Sequence, residues 1–201
     1  MSASFRHRST AYASHALGRF VRQFGLGDHG AAAVEFALLS LPLMMLVFGL
    51  IELAMVMLTY TTLQTATEAA GRRIRTGEFQ HSNAHNKGDF KTLVCGNMSW
   101  LSADCANDLY VDVQTFSSFG NLAANKPASG TAFNPNTTCF SPGNPADIVL
   151  VRAYLRWKLL TPGLSGALQN MGDGSGRRLL STATAFRNEP FDESPPVGAK
   201  C

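Results

Sequence analysis

Residues 30–60 read GAAAVEFALLSLPLMMLVFGLIELAMVMLTY, and Glu35 and Glu52 are the only charged side chains among them. An α-helix rises 1.5 Å per residue, so about 20 apolar residues cross the hydrocarbon of a bilayer. This run is long enough to span a membrane. A secretory signal has a shorter apolar core, about 7–15 residues, so a retained helix is expected over 31–60. Gly30 stands at its edge and Glu35 five residues beyond. A charge at the centre of a membrane helix costs roughly 2.5–3.5 kcal/mol. Both acids therefore need a physical reason. Glu52 lies 17 residues after Glu35, roughly 25 Å along a helix, which predicts a place near the outer interface. It would be a solvated carboxylate there or a contact between subunits. Gly49 beside it allows close approach of another helix. Pro42 lacks an amide donor and crowds the carbonyl of Leu38, which predicts a kink.

The helical pattern continues beyond the apolar run. Leu63, Ala66, Ala70 and Ile74 recur at spacings of three and four, while Gln64, Glu68, Arg72 and Arg75 lie off that stripe. The spacing predicts one helix from about Ala31 to Thr76, its second half amphipathic and packed on a folded domain, with Gly77 as the stop. Upstream, residues 1–30 hold four arginines and one aspartate. The 13 basic and 13 acidic residues of 31–201 cancel. The basic character is confined to the leader, where little order is expected, and the remainder has no electrostatic footprint for nucleic acid.

Downstream, residues 77–108 read as polar loop with a short helix around Phe90 to Leu93. Tyr110 to Phe116 alternates as a strand. Residues 117–145 are rich in Gly, Pro, Asn and Ser, a long loop. Asp147 to Leu159 is the clearest strand. It sets Val149, Val151, Ala153, Leu155, Trp157 and Leu159 on one face, and Ile148, Leu150, Arg152, Tyr154, Arg156 and Lys158 on the other. Arg178 to Phe186 reads as a last strand, and the tail after Glu189 as extended chain. Three strands with one apolar face and an amphipathic helix predict an α+β fold: a long N-terminal helix on a small antiparallel sheet.

Cys95, Cys105, Cys139 and Cys201 all follow the apolar run. An even count on one side points to an oxidising compartment and two disulfides, with three pairings open. The local choice joins Cys95 to Cys105 and leaves Cys139 with Cys201; four free thiols is the alternative. His81 and His85 have the spacing of helical metal ligands, but their surroundings read as loop, so no metal site is expected. Gly163-Leu-Ser165-Gly166 lacks the spacing of a nucleophile elbow. There is no phosphate-binding or dinucleotide-binding glycine motif. No catalytic residues and no cofactor are expected.

The junction Gly30-Ala-Ala-Ala-Val-Glu35-Phe36 resembles the cleavage site of Flp-type prepilins and pseudopilins. The stretch from Gly30 through Phe48-Gly49-Leu50-Ile51-Glu52 resembles the N-terminus of TadE-like proteins of the Tad (tight adherence) pilus apparatus. Cys139-Phe140-Ser141-Pro142-Gly143, the strand Ile148 to Trp157 with Thr161-Pro162 after it, and Phe186-Arg187-Asn188-Glu189-Pro190 look like that family's C-terminal region. The resemblance implies a pilin-like layout in three parts: a cytoplasmic leader over 1–30, a transmembrane helix over 31–60 and a periplasmic domain over 61–201. It implies cleavage between Gly30 and Ala31 by a prepilin peptidase, and subunit assembly through Glu35 and Phe36, where the family more often has Tyr. The implied function is that of a minor pseudopilin in the bacterial inner membrane, its N-terminus cytoplasmic, entering or priming a pilus used for surface adherence. The implied partners are other Tad pilins and pseudopilins and the Tad assembly machinery. The competing reading is a membrane-anchored periplasmic domain of an envelope complex or sensor. The mature N-terminus separates the two.

Overall fold

A computed structural model describes residues 29–82, 86–122, 128–129, 132–161 and 165–192. The chain divides into two compact units, Met1–Phe48 and Gly49–Cys201. The described part of the first is helix from His29 onward, continuous through Pro42. Its large apolar side chains, Val34 to Phe48, are exposed along its length. The hydroxyl of Ser40 donates to the carbonyl of Ala37 at 3.1 Å, so a polar group on an apolar helix is satisfied within it.

The second unit is α+β. It begins on the same helix, α1 (His29–Arg75). After it come α2 (Glu78–His81), α3 (Lys87–Gly96), α4 (Ser102–Asp108), β1 (Leu109–Phe116), the short strands β2 (Ala128–Ser129) and β3 (Ala132–Phe133), β4 (Ile148–Lys158), α5 (Ser165–Leu168) and β5 (Arg177–Arg187). The main sheet has the order β1-β4-β5. Both pairings are antiparallel, with Leu109 opposite Leu155 and Lys158 opposite Arg177.

One stripe of α1 closes the core. Glu52, Val56, Thr59, Leu63, Ala66, Thr67, Ala70 and Ile74 are buried, at helical spacing. Leu63, Ala66, Ala70 and Ile74 do what the periodicity predicts. They join Val111, Val113, Val149, Val151, Ala153 and Leu155 in one apolar cluster. A Cβ at Gly71 would stand 3.2 Å from both Phe186 and Thr184, so the helix backbone runs close against β5. The helix ends at the expected glycine. Gly77 takes a positive φ of 78° and its amide donates to the carbonyl of Ile74 at 3.1 Å, the left-handed cap that glycine adopts without a steric cost.

Two expectations are corrected. Residues 77–108 are mostly helical rather than loop. Asn86 and Asp89 form a reciprocal capping box that starts α3, and α3 and α4 are joined by the disulfide Cys95–Cys105. The other correction concerns the sheet, whose middle strand β4 is buried on both faces from Ile148 to Leu155. Ile148, Leu150, Arg152 and Tyr154 are buried as well as Val149, Val151 and Ala153. The stretch read as a long loop supplies the cover: Phe133 packs its ring on Tyr110 and Tyr154, at centroid distances of 5.3 and 5.1 Å. β4 is covered by α1 on one face and by Phe133 on the other, which is why apolar residues occur on both.

Candidate functional site: the assembly helix and its fastenings to the sheet

Gly30 is the second residue of α1. Ala31, Glu35 and Phe36 are exposed on the helix that follows. Among the described residues, none makes a hydrogen bond or ion pair with Glu35.

Glu52, expected near the outer interface as a solvated carboxylate or a subunit contact, is satisfied within its own chain. It is 1% exposed rather than solvated. One carboxylate oxygen accepts from the amide of Leu160 at 3.1 Å. The other accepts from the amides of Leu160 and Thr161 at 3.0 and 2.8 Å and from the Thr161 hydroxyl at 2.9 Å. These amides follow the last residue of β4, where the ladder no longer supplies acceptors. A carboxylate on an apolar helix and two strand-end donors would each be costly alone in a dry setting. Together they satisfy one another and fasten α1 to the end of the central strand.

A second fastening lies at the opposite end of β4. Arg75, in the last turn of α1, meets Glu189 through Nε at 3.0 Å and Nη2 at 2.9 Å, and its carbonyl accepts from the Glu189 amide at 2.8 Å. The neighbouring Asn188 is buried and donates to the carbonyls of Pro142 and Asn144, both at 3.0 Å. Gln80 also donates to Pro142, at 3.4 Å. The segments 139–143 and 186–190, far apart in sequence, thus meet around the Pro142 carbonyl beside the end of α1.

The covered face of the sheet carries a buried ion pair. Arg152 Nη1 lies 3.1 Å from Asp112 Oδ2 across the β1–β4 register. Asp112 also accepts from the Cys139 amide at 2.8 Å and from Gln114 at 3.0 Å, and Arg152 donates to the carbonyl of Leu122 at 2.8 Å. Lys87 donates to the carbonyl of Thr138 at 3.0 Å and to its hydroxyl. Burial pushes the Lys87 ammonium below its ordinary value, Asp112 opposes that shift and Lys91 adds to it. These polar groups hold Leu122, Thr138 and Cys139 to the sheet and to α3. The sequence signal was present in the register, since Asp112 and Arg152 alternate with apolar residues on strands that pair, but the pairing itself was needed to see it.

Of the remaining expected residues, Cys139 is disulfide-bonded, while Cys201, its expected partner, lies outside the described residues. Gly49 is half-buried on α1. His81 ends α2 and its Nδ1 lies 2.8 Å from the Gly77 carbonyl; His85 lies outside the described residues, as do residues 1–28. The helix is long and apolar enough to cross a membrane, as an anchor or a signal.

No curated protein and no solved structure matches the chain. A family model described as TadE-like protein matches residues 30–72, a range that holds the Gly30 junction, both acids and most of the buried stripe. Over residues 30–72 the chain is similar to the TadE-like protein family.

Proposed function

We propose that this protein is a minor pseudopilin of a Tad/Flp-type pilus, acting in pilus assembly, priming or tip formation and so in surface adherence. The observation that carries the reading is the position of Glu35: five residues after Gly30, exposed on an apolar helix, inside the segment that matches the TadE-like family. Cleavage after Gly30 by a prepilin peptidase would leave Ala31 as a new terminal ammonium. A carboxylate and an ammonium removed from water cost less together than apart, and breaking such a pair by removing one partner costs about 3–5 kcal/mol. Glu35 of one subunit facing the Ala31 amine of its neighbour would fix the register of helices packed side by side. The domain of residues 61–201 would then stand on the periplasmic side, consistent with its disulfide chemistry.

The mature N-terminus tests this. In cells with an active prepilin peptidase, mass spectrometry of the isolated protein should find Ala31 first. A functional protein that keeps Met1 would overturn the reading and favour a plain membrane-anchored domain.

A further inference from the structure

The Glu52 fastening fixes more than the helix. It holds Leu160 and Thr161 beside α1 at the level of residue 52. Yet the outward side of α1 stays apolar beyond that level: Leu53, Met57 and Leu58 are all exposed. Six further residues at 1.5 Å each extend the apolar surface about 9 Å past Glu52. Polar side chains become frequent only from Thr61 onward. The end of β4 therefore lies alongside a part of the helix that still needs an apolar covering.

The residues around that strand end fit such a place. Leu160 is 60% exposed and Trp100 48% exposed, and both are large and apolar. Trp100 packs edge-on to Trp157 of β4, with ring centroids 6.3 Å apart. Lys158, two residues before Leu160, is exposed; Arg156 precedes it and Arg177 pairs opposite it, both engaging Asp108. Tryptophan and long basic side chains are the residues that settle at the headgroup level, the ring partly in the apolar layer and the cation reaching to phosphate. Water cannot supply partners for strand-end amides at that depth, and Glu52 already does.

The geometry points to a lipid-docking surface: Trp100, Leu160 and Lys158 seat the strand-end of the sheet domain in the headgroup region of the bilayer that α1 crosses. This deepens the proposed function and rests on its reading of α1 as a membrane anchor. The occupant is a phospholipid surface, argued from continuity with the exposed apolar flank of α1. A free-standing domain joined to its anchor by a solvated helix would have no need to place its end beside Leu53 to Leu58.

The test uses the full chain in phosphatidylethanolamine–phosphatidylglycerol vesicles. Trp100 and Trp157 are the only two tryptophans, so the difference between wild type and Trp100→Phe isolates the emission of Trp100, an exposed residue whose replacement spares the core. The proposal expects blue-shifted Trp100 emission, protected from acrylamide. It also expects a greater loss of emission with bromines near the lipid glycerol than near the chain ends. Replacing Leu160 by Ser should reduce that bromine quenching. If the protein floats with the vesicles but Trp100 is quenched freely by acrylamide and not by bromine, the docking surface is wrong and the anchor stands. Shielding without bromine quenching that grows with protein density would assign the surface to a second copy and likewise overturn it. Failure to float would remove the anchor reading itself, and the docking surface with it.

Discussion

At Glu52 a single carboxylate accepts from two main-chain amides and a hydroxyl 108 residues or more away. Removing it should leave both amides without acceptors, at about 1–3 kcal/mol for each buried group. We expect Glu52→Ala to lower stability by roughly 2–4 kcal/mol, read as the denaturant midpoint of the full chain in detergent. Glu52→Gln retains one acceptor oxygen and should lose less. Equal losses would mean that a single retained acceptor oxygen contributes nothing and that the whole carboxylate is required. Asp112 is a different case, since its removal strands a buried Arg152. Asp112→Ala should cost about 3–5 kcal/mol, while the double replacement Asp112→Leu with Arg152→Met should recover most of it. A double variant as unstable as the single one would show that the pair does more than neutralise itself.

Between elements, shape and covalent linkage decide. Gly71 lets α1 approach β5, with Phe186 and Thr184 at 3.2 Å from where a Cβ would stand. Gly71→Val forces the two apart and should cost about 1–3 kcal/mol, the usual range for overpacking; thermal unfolding would show it, and an unchanged midpoint would mean the contact is loose. The Cys95–Cys105 bridge closes a short loop between α3 and α4. Chain-entropy arithmetic for a loop of that size gives about 3 kcal/mol. Cys95→Ala should lower the unfolding midpoint accordingly, and reduction of the wild type, which also opens the disulfide at Cys139, should lower it further.

How much of this was legible depends on range. Leu63, Ala66, Ala70 and Ile74 announced the core face of α1 because helical periodicity is local. The three long strands were readable from alternation, and the local disulfide from proximity in sequence. The partner of Glu52 was not readable, because nothing near Glu52 indicates that Leu160 folds back beside it. The helix Ser102–Asp108 was missed because SADCAND has almost no apolar repeat; its place is set by Leu101 and Cys105, which are buried against the sheet. The second covered face of β4 was missed for a related reason. Turn-rich sequence names a loop but does not say where the loop lies.

For the whole molecule, the two acids of the apolar run separate by consequence. Glu52 is consumed inside the chain, whereas Glu35 is exposed. Glu35→Ala should therefore leave unfolding and membrane fractionation unchanged and remove the protein from pilus-like fibres sheared from cells. Its normal recovery in such fibres would show that assembly does not use this carboxylate. The two fastenings of α1 to the sheet bear on what such a fibre could withstand. Glu52 grips one end of β4 and Arg75 meets Glu189 near the other, and the strand runs counter to the helix between them. Tension along the helix axis would slide the two elements lengthwise, straining both grips and the apolar seam at once, instead of prising them open one contact after another. A subunit built this way resists pulling best in the direction in which a filament is stretched.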